Sequence, residues 1–296
     1  MGTIKVAYSD NYFCEGYGVD TREKARDIAH SLGRRPIEGI ELFTPAPATV
    51  ADYTLAHTRR YAQAIATGHP WSWADRNGLG DWSRDLAESV AWSTGGVLAA
   101  VDISLATGSN AGSLSSGLHH ARGSHGSGFC TINGLVVGAR RAVLAGAARV
   151  LIVDFDVHCG GGTASLLRDD EPIEQIDVSG SSFDTYSPTA TSRLWMTDGA
   201  GYLATIREAL ASVEDPAGID LVIYNAGMDP HQDCPTGGVR GITTEVLRER
   251  EENTFAWAKQ HSIPVTFVLA GGYSGRSLSR DQLVDLHRLT LHAATM

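Results

Sequence analysis

From residue 131 onward, short apolar runs alternate with longer amphipathic stretches, and no other feature restricts this chain as tightly. In order, the alternation predicts a helix over 131–146, a strand over 149–155, a short helix over 163–168 and a strand over 173–178. It continues with a helix over 198–213, a strand over 219–225, a helix over 243–261, a strand over 263–269 and a last helix over 277–292. Strands that are apolar throughout, each separated from the next by a helix, belong to a mostly parallel sheet covered on both faces. The expected fold is α/β, a multi-stranded and mostly parallel sheet with helices on both sides, and 1–296 is expected to form a single domain.

Ahead of that region the spacing predicts strands over 4–8 and 40–43, with a helix between them that opens at a capping box of Asp20 and Glu23 and stops at Gly33. Two short helices are expected within 49–67. A Trp-rich loop follows over 68–81, then a long helix over 81–106 interrupted at Gly95 and Gly96. Residues 106–128 are rich in Gly, Ser and His and fit either a linker or a functional loop. The adjacent His119 and His120 favour the loop.

Composition excludes several classes. A formal net charge of −10 opposes a nucleic-acid or anionic-membrane surface, both of which need clustered Lys and Arg, and is compatible with a cationic substrate. The N-terminal MGTIKVAYSD has no apolar core of signal-peptide length and no later stretch reads as a membrane span, so a cytoplasmic protein is expected. Cys14, Cys130, Cys159 and Cys234 are widely spaced with no CxxC pair, which fits free thiols.

In a parallel α/β sheet, ligands bind beyond the carboxyl ends of the strands. The polar residues gather at those ends. VLIVDFDVHCGGGT, over 150–163, ends a strand in Asp154, Asp156 and His158, spaced by two on one side of an extended segment. YNAGMDP brings Asn225 and Asp229 to a second strand end, and LAGGYS brings Gly271, Gly272 and Tyr273 to a third. Asp156, His158 and Asp229 suit a catalytic zinc, which takes three protein ligands and keeps one position open; iron(II) suits the same set. Taken one at a time, the same aspartates would serve equally as helix caps.

Four motifs in order, GLHHARGSHGSGFCTING, DFDVHCGGGT, YNAGMDP and LAGGY, resemble the zinc-dependent histone deacetylases and acetylpolyamine amidohydrolases of the arginase and deacetylase fold. The resemblance implies Asp156, His158 and Asp229 as metal ligands, and His119 and His120 as the acid and base pair with Asp154 holding His119. Tyr273 would be the hydrogen-bond donor to the transition state. It also implies Gly128, Phe129 and Gly272 as substrate-binding residues and Phe183 or Tyr186 as a second aromatic wall. A potassium ion is implied near Asp154, Asp156, His158 and Ser179. The substrate so implied is an acyl-amine, either a small molecule or a peptide.

Two positions depart from the family pattern. Cys159 follows the ligand histidine, and Gly161 stands where relatives carry the Asp or Asn that orients the second histidine, so His120 is expected to lack its usual partner, leaving either reduced activity or another residue in its place. That loss motivates a binding protein with weak or no turnover as an alternative. An arginase-like ureohydrolase with two manganese ions is another, which needs more carboxylates than Cys159, Gly161 and Gly227 supply.

Overall fold

The structure is a computed structural model that describes residues 2–14 and 20–296, excluding the side chains of 20–22. The strands are β1 (Ile4–Ala7), β2 (Ile40–Phe43), β3 (Ala111–Ser113), β4 (Val150–Asp154), β5 (Ile173–Ser179), β6 (Ser192–Met196), β7 (Leu221–Gly227) and β8 (Val265–Ala270). They form one sheet in the order β2-β1-β3-β8-β7-β4-β5-β6, with every pairing parallel. The α/β fold expected from the alternation is the fold observed.

The helices are α1 (Asp20–Arg34), α2 (Val50–Tyr53), α3 (Arg59–Thr67), α4 (Trp71–Ala74), α5 (Arg84–Thr107), α6 (Gly134–Leu144), α7 (Gly161–Ala164), α8 (Tyr202–Ala211), α9 (Thr244–Gln260) and α10 (Arg280–Ala294). They divide the interior between the two faces of the sheet. On β4, Leu151 and Val153 join one core with α1, α8, α9 and α10, while Val150 and Ile152 join the other with α3, α5 and α6. Period-two alternation in a strand apolar on both sides thus feeds two cores at once.

Several local expectations are corrected. The stretch 106–128 contains strand β3, and 179–197, where the sequence pattern predicts no element, contains strand β6; both are short, three and five residues. Helix α1 passes through Gly33 to Arg34, and its expected Asp20 cap lies outside the described side chains. Helix α5 is continuous through Gly95 and Gly96. A Cβ on Gly95 would sit 2.0 Å from the Ala46 carbonyl oxygen and one on Gly96 1.8 Å from the Tyr12 hydroxyl, so these glycines admit close neighbours without breaking the helix. Contrary to the sequence expectation, α5 is long and apolar enough by length and composition to cross a membrane, yet half of that stretch is buried within the protein. The four cysteines are buried and none forms a disulfide, as the spacing predicts.

Gly95→Ala should therefore destabilise the chain by about 3 kcal/mol, the upper end for overpacking a close-packed contact. Gly33→Ala, whose Cβ meets nothing within 4 Å, should stabilise it by about 0.5 kcal/mol through helix propensity. Urea midpoints at constant m-value measure both.

Candidate active site

Five neighbouring strands, β3, β8, β7, β4 and β5, deliver the site from their carboxyl ends. Asp154 closes β4 and is followed by Asp156 and His158; Asp229 follows β7; Gly271 to Tyr273 follow β8. The loop after β3 carries His119 and His120, and the loop after β5 carries Phe183 and Asp184. One ligand atom each from Asp156, His158 and Asp229 lie within 4.8 Å of one another. His158 Nδ1 is 3.1 Å from Asp156 Oδ1 and 3.1 Å from Asp229 Oδ2. Among the described residues this is the one such three-ligand cluster.

The electrostatics fit a cation. Burial, then the Asp156 charge, pushes Asp229 up to about 6, since two adjacent buried carboxylates resist joint ionisation. Burial alone would depress His158, but its hydrogen bonds and charge interactions with Asp156 and Asp229 outweigh this and lift it to about 10. The two acids thus demand positive charge, which the imidazole supplies only by taking a proton. A divalent metal held by two carboxylate oxygens and one imidazole nitrogen meets the same demand, and the donor set suits zinc or iron(II).

The His119 and His120 rings lie with centroids 3.9 Å apart and their planes tilted by 41°. His119 Nδ1 lies 2.8 Å from Asp154 Oδ2, and the other oxygen of Asp154 accepts from Asn225 Nδ2 at 2.8 Å. Burial opposes charge on His119, yet Asp154 and Asp156 carry it to about 10. Burial and the neighbouring His119 instead push His120 down to about 4. Of the two alternatives for His120, the structure shows another residue in place of the usual partner: His120 Nδ1 is 2.8 Å from Asp184 Oδ2. Asp184 is the only acidic residue between Ser179 and Thr197, a signal in the sequence that motif spacing passes over.

The three glycines after Cys159 serve close approach, not a left-handed turn, since none has a positive φ. A Cβ on Gly160 would lie 2.7 Å from Asp154 Oδ2, on Gly161 2.1 Å from the Asp184 carbonyl oxygen, and on Gly162 2.4 Å from the His119 carbonyl oxygen. Two other residues escaped the sequence reading. Asn133 Oδ1 accepts from Val136 N at 3.1 Å to cap α6, while its Nδ2 donates to the His119 carbonyl at 3.2 Å. Arg250, fully buried on α9, donates to the carbonyls of Gly227 at 2.7 Å and Phe155 at 3.1 Å, tying together the two segments that carry Asp229 and Asp156.

Ser116, Leu118, Gly128, Phe129, Cys130 and Tyr273 line the pocket above this cluster. Phe129 and Phe183 are 42% and 49% exposed, so both present apolar rings to an incoming ligand. Phe183 lies 5.0 Å from the His120 ring and 5.7 Å from His158, whereas the Tyr186 hydroxyl donates to the Arg193 carbonyl at 3.4 Å and interacts with buried Asp177. Of the two aromatic candidates for a second wall, Phe183 is the one with ring contacts to His120 and His158. Gly272 is turned toward Leu283 and His287 of α10; its neighbour Gly271 is the residue against Asp229 and Asp156. Burial, then Asp229 and Asp156, raises the Tyr273 phenol, which keeps its proton as a donor.

The architecture and this strand-end centre define a class, the α/β proteins of arginase and deacetylase type. The solved HDA15 HD domain has the same fold, with a TM-score of 0.77 over 99% of this chain and 90% of that one at 20% identity. Residues 19–287 match the histone deacetylase domain, and the chain belongs to that family of deacetylase-type hydrolases. An uncharacterised protein of Picosynechococcus is 29% identical over 243 residues, 80% of each chain. A probable deacetylase of Methanothermobacter thermautotrophicus is 26% identical over 83% of this chain and 78% of its own length. Histone deacetylase 2 of Arabidopsis thaliana is 28% identical over 59% of this chain and 48% of its own.

Equilibrated with zinc and desalted, the wild type should retain one ion per chain by elemental analysis, and Asp229→Ala should retain almost none. Loss of groups that merely orient ligands weakens metal binding about 10–100-fold, so loss of a ligand should exceed about 100-fold.

Proposed function

We propose that this chain is a zinc-dependent amidohydrolase that removes an acetyl or related acyl group from an amine, in acyl-lysine, an acylated polyamine or a small metabolite. One observation carries the proposal: a close histidine pair, each ring with its own carboxylate, stands beside a buried cluster of two aspartates and one histidine. A zinc or iron(II) ion held by Asp156, His158 and Asp229 would supply Lewis-acid polarisation of the amide carbonyl and a water made acidic enough to attack. The remaining work falls to the chain. His120, kept neutral, takes the proton of the attacking water and returns it to the leaving amine. His119, kept charged by Asp154 and Asp156, offsets the negative charge that gathers on the carbonyl oxygen. Tyr273 donates its hydroxyl to the same oxygen.

Phe129 and Phe183 flank the entrance as apolar walls for an acyl chain or an alkyl amine stem, with Gly128 between them and His120. The net charge of −10 favours a cationic amine over a nucleic acid. A potassium ion beside Asp154 and Ser179 belongs to the same proposal, and buried Asp177, opposite Asp154 on β5, adds an acid that the sequence expectation did not include. So does a cytoplasmic location, with which four reduced, buried thiols agree. The 2.8 Å contact of Asp184 with His120 favours turnover over a binding-only protein.

The zinc-loaded protein should release acetate from at least one member of a panel of acetyl-lysine peptides and acetylpolyamines, and His120→Ala should abolish that release. Release that is absent from the wild type, or unchanged in His120→Ala, would overturn the proposal. Tyr273→Phe should lower kcat about 100-fold with little change in KM, the usual effect of removing one oxyanion donor.

The pH profile supplies a further check. A base depressed to about 4 protonates only as pH falls through that value, so kcat/KM should hold from pH 7 down to about 5 and decline below it, read while metal content stays constant.

A further inference from the structure

Asp184 sits in a setting built for one carboxylate. Its Oδ2 is 2.8 Å from His120 Nδ1 and accepts from the Gly162 amide at 3.0 Å, while its Oδ1 is bound by the Arg122 guanidinium. Arg122 also donates to the Gly161 carbonyl at 2.9 Å, which ties together the loops that follow β3, β4 and β5. The Asp184 side chain is 6% exposed, so these partners replace nearly all of its water. Its backbone φ of 59° lies in the left-handed region, which Asp and Asn tolerate better than most residues. Gly161 completes the setting: any side chain there would enter the space filled by the Asp184 backbone and carboxylate.

An imidazole that donates Nδ1–H to a fixed carboxylate leaves its Nε2 lone pair for proton transfer, and the carboxylate steadies the imidazolium formed during turnover. We infer that Asp184, clamped by Arg122 and admitted by the bare backbone of Gly161, is the positioning residue that fixes the tautomer and orientation of His120. This rests on the amidohydrolase proposal for what His120 does, though not for how it is held. The same turn carries Phe183, so the pocket wall and the orientation of the base are set by one segment.

Two readouts test the inference separately. In 15N-histidine NMR, with His120 assigned by its loss in His120→Gln, the wild type should show the Nδ1–H tautomer, and Asp184→Ala should show a mixed or reversed population. An unchanged tautomer in Asp184→Ala would overturn the inference whether or not any substrate is turned over. In kinetics on a substrate that the wild type deacetylates, Asp184→Asn keeps the shape and the left-handed turn but loses the charge. It should lower kcat about 10–100-fold, with KM, metal content and Tm close to wild type. Wild-type kcat in Asp184→Asn, or a loss matched by loss of metal or of folding, would assign Asp184 to loop anchoring instead. Should the wild type turn over nothing in the panel while the tautomer still depends on Asp184, the deacylation proposal fails and the positioning role stands.

Discussion

Four aspartates, Asp154, Asp156, Asp177 and Asp229, are buried at the carboxyl edge of three adjacent strands, and the site is organised by their need for positive charge. Each ionised carboxylate taken out of water costs several kcal/mol unless it is paired or coordinated. Asp154 faces Asp177 across the β4–β5 register, and burial together with Asp154 raises Asp177 well above the usual carboxylate range. Asp156 and Asp229 compete in the same way, and share His158. Such an edge draws cations to it: His119 and His158 are pulled toward the charged form, and a metal would stand in place of the His158 proton.

That crowding explains the glycines. Asp154, Asp184 and the backbone of His119 all press against 160–162, and each would meet a Cβ well inside van der Waals distance. The supports lie further out and hold backbone more than side chains. Arg250 gathers the carbonyls of Phe155 and Gly227, and Asn133 holds the carbonyl of His119. His57, pushed by burial down to about 4 and so neutral, accepts from the Asn133 amide while its other ring nitrogen meets the Arg122 carbonyl. Neutral and cationic groups with several donors thus bind loops that have no regular ladder of their own.

Much of this was legible in the sequence, for a definite reason. Strands β4, β7 and β8 are mostly apolar on both faces, so their runs stand out, and the rule that ligands gather at carboxyl ends places Asp156, His158, Asp229 and Tyr273 together without coordinates. Strands β3 and β6 were missed because Ala-Gly-Ser and Ser-Arg-Leu-Trp-Met carry little of that signal. Gly95 and Gly96 were misread as a break because a glycine that admits a neighbouring chain looks, in sequence, like one that ends a helix. Gly161 was misread as a deficit for the same reason. A motif is scanned along one strand end, while the acid that serves His120 arrives from the loop after the next strand.

The two histidines show why the origin of each carboxylate matters. His119 pairs with Asp154, the last residue of β4, and carries charge; with its ring centroid 3.9 Å away, His120 is driven toward neutrality by burial and by that same charge. A pair held this close cannot readily be charged twice, so charge on one ring selects the other as the base. The acid for the charged ring belongs to the sheet, and the acid for the neutral ring belongs to a loop that also presents Phe183 to the pocket. The strand end can therefore keep its electrostatic role fixed while the β5 loop changes both the shape offered to a ligand and the alignment of the base.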